Sequence, residues 1–228
     1  MLNFLQISLT NRCNFYCWHC PMKEWRNNEP KFPMNNGELL PFLEKNIAPK
    51  EWVIELTGGE PSLYDGIDEL MEWLSGNGYF TIVKTNGSGN FPKLPKVKII
   101  AAFHKLNEPP YNYDEYLIVD KILREEKEAY CKEHEIPYKV IGYDKENPDG
   151  ASHGFTYISF INAAGHGCDC PAKSPLQKEN ALGTYDFGRI TDAPLQKSPC
   201  CKSCKAAIDA WRFLPEDIKK RRFGLPMR

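Results

Sequence analysis

The chain has 228 residues with nearly balanced charge, 29 Lys and Arg against 30 Asp and Glu. Its net charge of −1 gives no overall attraction to nucleic acid or to a membrane, and no apolar run is long enough to span a bilayer. A hydrophobic content of 42% is typical of globular proteins with a sizeable core. The nine cysteines and the absence of a signal-peptide pattern predict a reducing, cytoplasmic location, where clustered thiols favour metals over disulfides.

Strands and helices are predicted to alternate along the first half of the chain. Apolar runs predict strands over residues 3–9, 52–56, 79–84 and 97–103. Apolar residues at helical spacing predict a helix over residues 37–47. A second helix is predicted to begin at Asp65, with the Asp65 carboxylate as its N-cap, and to end near Gly76.

In the second half, a long helix is predicted from Asp114 to about His134, followed by strands over residues 138–143 and 155–161. Strands alternating with helices indicate right-handed crossovers and a parallel sheet, so the predicted fold class is α/β. In such sheets ligands bind at the carboxyl ends of the strands. Residues 92–106 are too few for a long helix, so one of the crossover connections between strands is expected to be shortened.

Three cysteines follow the first strand directly. Cys13, Cys17 and Cys20 have the spacing CxxxCxxC in one short loop, and thiolates this close can converge on one inorganic centre. A [4Fe–4S] cluster normally takes four thiolates, so three leave one iron open to a small chelating molecule. The alternatives are reduced thiols without a metal and a zinc site, for which His19 is the available fourth ligand.

Two more motifs end later strands, LTGGEP at residues 56–61 and TNG at residues 85–87. In this order the three motifs resemble the signatures of the radical S-adenosylmethionine (SAM) superfamily, and the resemblance covers about the first half of the chain. It implies a partial (β/α)6 barrel, open on one side. It also implies a SAM-binding [4Fe–4S] cluster held by Cys13, Cys17 and Cys20.

The resemblance further implies which residues bind SAM. Gly58 and Gly59 lack the Cβ that would obstruct the ligand, and the Glu60 carboxylate can accept a hydrogen bond from the SAM amino group. An ordinary Asx turn is the alternative for Thr85 and Asn86. The residues assigned to SAM binding are His19, Gly58, Gly59, Glu60, Thr85, Asn86 and His104.

The C-terminal third contains five more cysteines. Residues 165–214, with the tripeptide Gly188-Arg189-Ile190, resemble the SPASM and Twitch appendages of the same superfamily. The resemblance implies a second, auxiliary [4Fe–4S] cluster, and a four-thiolate zinc knuckle is the alternative. The assigned ligands are Cys168, Cys170, Cys201 and Cys204, with Cys200 as the substitute for Cys201. The predicted division is a radical SAM core at residues 1–162 and a Twitch-like region at residues 163–228.

These assignments predict an enzyme that cleaves SAM reductively to a 5′-deoxyadenosyl radical, which takes a hydrogen atom from the substrate. A small polar substrate is expected, such as a sugar, cyclitol, nucleoside or nucleotide, and a peptide or nucleic acid is the alternative. The expected partner is an electron donor such as flavodoxin or ferredoxin, and no membrane is involved. No catalytic side chain is assigned. The competing interpretation, from a different functional class, is a non-catalytic zinc-binding module.

Overall fold

The computed structural model describes residues 2–17, 20, 22–23, 26–104, 113–118, 123–140, 155, 157–168, 186–192, 195, 198–199 and 205–220. The strands in these ranges are β1 Asn3–Ser8, β2 Trp52–Thr57, β3 Phe80–Thr85, β4 Val97–Ala102, β5 Glu115–Ile118, β6 Tyr138–Val140, β7 Tyr157–Ile161, β8 His166–Cys168, β9 Asp186–Arg189 and β10 Ser198–Pro199. The helices are α1 Asn36–Asn46, α2 Ile67–Gly76, α3 Arg124–Glu133, α4 Lys205–Phe213 and α5 Glu216–Lys220, with a short 3-10 turn at Pro61–Leu63.

The strands form one sheet in the order β6-β5-β4-β3-β2-β1-β7-β8-β9. All pairings from β6 to β7 are parallel, while β8 and β10 both pair antiparallel with β7. β1 lies between β2 and β7, so the loop after β1 emerges close to the end of the parallel part that β7 forms. The predicted α/β class with a parallel sheet is confirmed.

The predicted helix from Asp114 to His134 is wrong in its first part. Residues Glu115–Ile118 form β5, which pairs in parallel with β4 and β6, and the helix α3 begins only at Arg124. Tyr116 and Ile118 are buried on one face of β5, whereas Glu115 pairs with Lys98 on the other. This alternation has the period of two that a strand requires, and pairing with β4 outweighs the local helical pattern.

The predicted N-cap of α2 is also wrong. Gly66 occupies the cap position with a φ of 89°, in the left-handed region that glycine adopts without strain. Asp65 instead extends towards the cysteine loop, where its carboxylate lies 3.2 Å from Nη2 of Arg12. The turn before α2 is therefore linked to the segment that precedes Cys13.

Helices cover both faces of the sheet. The outer face, formed by residues such as Ile7, Ile54 and Val83, packs against α1 and α2 in the largest hydrophobic cluster. The opposite, inner face includes Phe4, Val53, Ile82, Ile100 and Phe160, and packs against α4 and α5. None of the helices in the described ranges is both long and apolar enough to cross a membrane.

Helix α4 is held to the inner face by its own C-terminal end. The side chain of Phe213 is buried, and Nζ of Lys98 donates to the carbonyl of Phe213 at 3.2 Å. Nζ of Lys139 donates to the carbonyl of Arg212. Glu115 pairs with both lysines, at 2.6 Å from Lys98 and 3.4 Å from Lys139. The division at residue 162 stays a prediction, although β8 and β9 extend the sheet of the N-terminal part.

Candidate active site

The loop after β1 brings three thiols together. Cys13, Cys17 and Cys20 are all partly exposed. Burial raises the pKa of the Cys17 thiol, and the neighbouring Cys20 and Cys13 raise it further because they would repel it as thiolates. The Arg26 guanidinium lowers the same pKa and donates from Nη2 to the Cys17 carbonyl at 3.4 Å. The thiols therefore share one environment, in which a bound cation would relieve their mutual repulsion.

A polar segment after the loop fixes the position of its first cysteine. Oε1 of Glu29 accepts hydrogen bonds from the Thr10 hydroxyl at 2.5 Å and from the backbone N–H groups of Asn11 and Arg12 at 2.6 and 2.8 Å. Oδ1 of Asn27 accepts from the N–H of Cys13 at 2.8 Å. Sequence reasoning missed this support, for which the only local signal is the polar run Asn-Asn-Glu at residues 27–29.

The two glycines of LTGGEP allow the loop after β2 to lie directly on the cysteine loop. A Cβ at Gly59 would lie 2.1 Å from the carbonyl oxygen of Arg12, and one at Gly58 would lie 2.6 Å from that of Thr10. Gly58 also has a φ of 129°. The N–H of Gly59 donates to the Thr10 carbonyl at 2.7 Å. Both glycines therefore allow the loop after β2 to pack closely on the loop after β1, in addition to the predicted approach of a ligand.

Glu60 links the loop after β2 to the loop after β3. Its carboxylate is fully buried. Oε1 accepts from the Thr85 hydroxyl at 2.7 Å and from the Ser62 N–H at 3.1 Å, while Oε2 accepts from the Asn86 N–H at 2.7 Å. The Thr85 hydroxyl also accepts from the Gly87 N–H at 3.1 Å. Glu60 and Thr85 therefore face each other, and their predicted contacts with SAM stay predictions.

Asn86 and His104 face the thiols from two neighbouring strands. Nδ2 of Asn86 lies 3.8 Å from Sγ of Cys13 and donates to Oδ1 of Asn14 at 2.8 Å. Its Oδ1 accepts from the Ser88 N–H at 2.9 Å, so the alternative Asx turn is present beside the thiol contact. Both ring nitrogens of His104 lie 3.9 Å from Sγ of Cys17.

Several predicted site residues lie outside the described residues. These are His19, Cys170, Cys200, Cys201 and Cys204. β8 ends at Cys168, and the side chain of Cys168 also lies outside the part of the chain that the structure describes. The ligands assigned to the auxiliary cluster therefore stay a prediction.

The donor set of the cysteine loop fits an iron–sulfur cluster. Three thiols lie on one loop, share one electrostatic environment and are flanked by N–H groups of Asn86 and His104 that suit sulfur acceptors. Among the described residues, no three His, Cys, Asp or Glu side chains are arranged as a site for a metal ion. The fit therefore rests on the chemistry of the thiols and their neighbours.

Comparison with known proteins gives short sequence matches. No family model matches the chain. A GTP 3′,8-cyclase from Helicobacter pylori is 35% identical over 75 residues, covering 31% of this chain and 22% of that protein. A mitochondrial GTP 3′,8-cyclase from Arabidopsis thaliana is 34% identical over 98 residues, covering 42% of this chain and 25% of that protein. The matched region thus spans about a quarter or less of these relatives.

Solved structures match over much more of the chain. The structure of anSMEcpe with bound AdoMet has a TM-score of 0.58 at 13% identity, covering 85% of this chain and 76% of that one. The complex of BtrN with AdoMet and 2-DOIA has a TM-score of 0.50 at 14% identity, covering 97% and 86%. The short sequence matches and the shared fold support the predicted resemblance to the radical SAM superfamily. At these identities the structures establish the fold.

In this fold, the three sequence motifs meet at one edge of the sheet. β1, β2 and β3 are adjacent and parallel, and their carboxyl ends lead into the cysteine loop, LTGGEP and TNG, respectively. Sequence reasoning missed a row of polar side chains just below this edge, formed by Gln6, Glu55 and Lys84. The available signal was a Glu and a Lys within otherwise apolar strands.

Proposed function

We propose that this protein is a radical SAM enzyme whose cluster is held by Cys13, Cys17 and Cys20. One observation carries the proposal: the thiols of Cys13 and Cys17, in the loop after β1, lie 3.8 Å and 3.9 Å from Asn86 and His104, which follow the adjacent strands β3 and β4. When bound, the cluster supplies the electron that cleaves SAM to methionine and a 5′-deoxyadenosyl radical.

The surrounding residues orient the site and limit its access to water. Glu29 and Asn27 hold the backbone before Cys13, so the first thiol is placed before iron binds. Glu60 positions Thr85 and Asn86, whose loop is the proposed contact for the SAM carboxylate or ribose. The edge of the Phe15 ring packs on His104 with ring centroids 5.3 Å apart, which shields the Cys17 side of the loop.

A small polar substrate and an auxiliary cluster complete the proposal. β8 ends at Cys168, and β10 ends at Pro199, directly before Cys200. Both strands pair with β7, where Cys168 lies opposite Phe160 and Pro199 opposite Tyr157. Three residues of a strand span about 10 Å, so the CxC and CxxC pairs start from neighbouring points. This arrangement supports one cluster between the two pairs. The proposed electron donor is flavodoxin or ferredoxin.

The test is Cys17→Ser in protein reconstituted anaerobically with iron and sulfide. We expect the variant to fold normally, because Cys17 is only partly buried, and to lose formation of 5′-deoxyadenosine. The matched control is Cys131→Ser, which changes a buried thiol on α3 away from the loop and should keep that activity. Wild-type SAM cleavage by Cys17→Ser would contradict the proposal.

The same reconstitution separates the radical enzyme from a zinc module. An iron–sulfur protein develops broad charge-transfer absorbance in the visible range, whereas a zinc protein stays colourless. A colourless protein with stoichiometric zinc would contradict the enzyme assignment.

A further inference from the structure

We propose that Arg26 donates a hydrogen bond from Nε to a sulfur atom of the proposed cluster, and so makes the cluster easier to reduce. The Tyr16 ring holds the guanidinium in this place. The proposal rests on the proposed function, because it concerns the same cluster. In the reduction step the cluster accepts one electron, the proposed donor is oxidised by one electron, and no bond forms or breaks.

The guanidinium of Arg26 lies beside the backbone of the cysteine loop. Its Nη2 donates to the carbonyl oxygen of Cys17 at 3.4 Å. Its Cζ lies 4.7 Å from the centroid of the Tyr16 ring, in a cation–π contact. Tyr16 is 80% exposed, so this ring covers one side of the guanidinium and meets solvent with the other. The cation is therefore held between the loop backbone and an aromatic ring.

One N–H donor of this guanidinium lacks an acceptor. Nε of Arg26 is buried and makes no hydrogen bond among the described residues. A buried donor without an acceptor is costly, and such a group in a native protein calls for a partner. The sulfur atoms of an iron–sulfur cluster accept hydrogen bonds, and these bonds help to set its reduction potential. A cluster bound in the adjacent loop would supply the missing acceptor.

The segment that carries Arg26 is fixed to the cysteine loop by hydrogen bonds. The N–H of Asn27 donates to the carbonyl of Asn11 at 2.8 Å, and Oδ1 of Asn27 accepts from the N–H of Cys13 at 2.8 Å. Nδ2 of Asn11 donates to the carbonyl of Asn28 at 2.7 Å. Because these bonds hold its chain neighbours, Arg26 is placed before a cluster binds, as a preorganised donor.

Other N–H groups already lie near two of the three thiols, and they are neutral. The backbone N–H of Met22 donates to Sγ of Cys20 at 3.3 Å. Nδ2 of Asn86 lies 3.8 Å from Sγ of Cys13. Arg26 adds a charged donor on the side of Cys17, and a charged donor forms the stronger hydrogen bond.

The positive charge of Arg26 favours the reduced state of the cluster. Arg12, which also lies beside the loop, is paired with Asp65 at 3.2 Å. Arg26 forms no ion pair within the part of the chain that the structure describes, so no carboxylate there offsets its charge. Reduction adds one negative charge to the cluster, and a fixed cation beside it stabilises that charge.

A potentiometric titration of the reconstituted protein without SAM, followed by EPR, measures this effect. In Arg26→Gln we expect the ratio of reduced to oxidised cluster at a fixed potential to fall about tenfold, which is about 59 mV for one electron. Arg26→Lys keeps the charge without the Nε donor and should recover less than half of that shift. The control is Lys23→Gln, which removes an exposed charge from the same segment and should change the ratio less than twofold.

A second measurement uses wild type and does not depend on how the variants fold. Pulsed EPR of the reduced protein, labelled with ¹⁵N-arginine, detects nitrogen nuclei hydrogen-bonded to the cluster. We expect a hyperfine coupling to an arginine nitrogen in wild type, and its loss in Arg26→Gln. If Arg26→Gln takes up no iron, the coupling in wild type decides alone.

Four results would overturn the proposal: no arginine coupling in wild type, a coupling that persists in Arg26→Gln, an unchanged potential in Arg26→Gln, or full recovery in Arg26→Lys. In each of these the cluster is present, and the proposed function stands. A wild-type protein that forms no iron–sulfur cluster would instead remove the proposed function itself.

Discussion

Glu60 shows how one side chain can organise a site without facing solvent. Its buried carboxylate accepts from Ser62, Thr85 and Asn86, and so joins the ends of β2 and β3. The LTGGEP motif alone indicated a carboxylate for the SAM amino group. The structure adds an internal role, in which Glu60 positions the loop that approaches Cys13 through Asn86.

We expect Glu60→Ala to weaken SAM binding about tenfold or more, because the Thr85–Asn86 loop loses its charged acceptor. Iron content should fall much less, since no hydrogen bond given for the described residues joins Glu60 to a thiol directly. Titration calorimetry with SAM and iron analysis of the reconstituted protein measure the two effects. The control is Glu44→Ala, an exposed position on α1. Loss of iron with unchanged SAM affinity would instead make Glu60 a support for the cysteine loop.

Cys131 predicts a pH dependence of stability. Burial, and then the Glu128 carboxylate, raise the pKa of the Cys131 thiol to about 11 from 9.0. The folded state therefore favours the protonated thiol, and its contribution to stability is full below pH 9.0 and is lost as the pH rises towards about 11. We expect the free energy of unfolding of wild type to fall more steeply over this range than that of Cys131→Ala. Parallel urea titrations would show whether the slopes differ, and equal slopes would contradict the assignment.

Among the elements, the cysteine loop depends on two other segments for its shape. The turn at Gly58 and Gly59 packs on its first residues, and the run Asn27–Glu29 holds them from the other side. The loop is thus defined by contacts with the chain before and after α1. This explains how partly exposed thiols can keep one arrangement.

Gly59→Ala tests this packing. A Cβ at position 59 would lie 2.1 Å from the Arg12 carbonyl oxygen, so backbone must move, and we expect a loss of about 1–3 kcal/mol in unfolding free energy. Iron incorporation should fall as well, because Cys13 follows Arg12. Gly76→Ala is the matched control, since a Cβ there meets nothing within 4 Å and the site ends α2. That variant should be neutral or gain up to about 1 kcal/mol. If chemical denaturation showed the same change in unfolding free energy for Gly59→Ala and Gly76→Ala, the close contact at Gly59 would be contradicted.

At the scale of the whole molecule, β7 connects the two proposed clusters. It pairs with β1, which leads to Cys13, and with β8 and β10, which lead to Cys168 and Cys200. The described strands that precede Cys13 and Cys200, and the strand that ends at Cys168, therefore belong to one sheet. Helix α4, which follows the last cysteine, packs under the same sheet on the inner face.

We predict about eight irons per chain in the reconstituted protein, from two four-iron clusters. Replacing Cys201 and Cys204 with Ala should halve the iron content and leave SAM cleavage intact, because the thiols of the first cluster lie on another loop. Iron analysis and the yield of 5′-deoxyadenosine measure both effects. Four irons in wild type, or zinc in the C-terminal region, would contradict the auxiliary cluster.

The sequence by itself determined the α/β class, the three motifs and their places at strand ends. These features are local: apolar period, cysteine spacing and glycine position are properties of short segments. They were enough to predict that the three motifs lie at one edge, because parallel strands carry their carboxyl ends to the same edge, whereas the ligand roles of Cys13, Cys17, Cys20, Asn86 and His104 stay predictions.

Only the tertiary structure decided contacts between distant segments. β5 formed where a helix was predicted, because its short apolar run fits either element and parallel pairing with β4 and β6 selects the strand. The support of Cys13 by Asn27 and the row of Gln6, Glu55 and Lys84 join residues far apart in sequence, and the local polar signals do not show which residues become partners. Charge and hydrogen-bond balance on a buried face depends on which strands become neighbours, and that is a property of the fold.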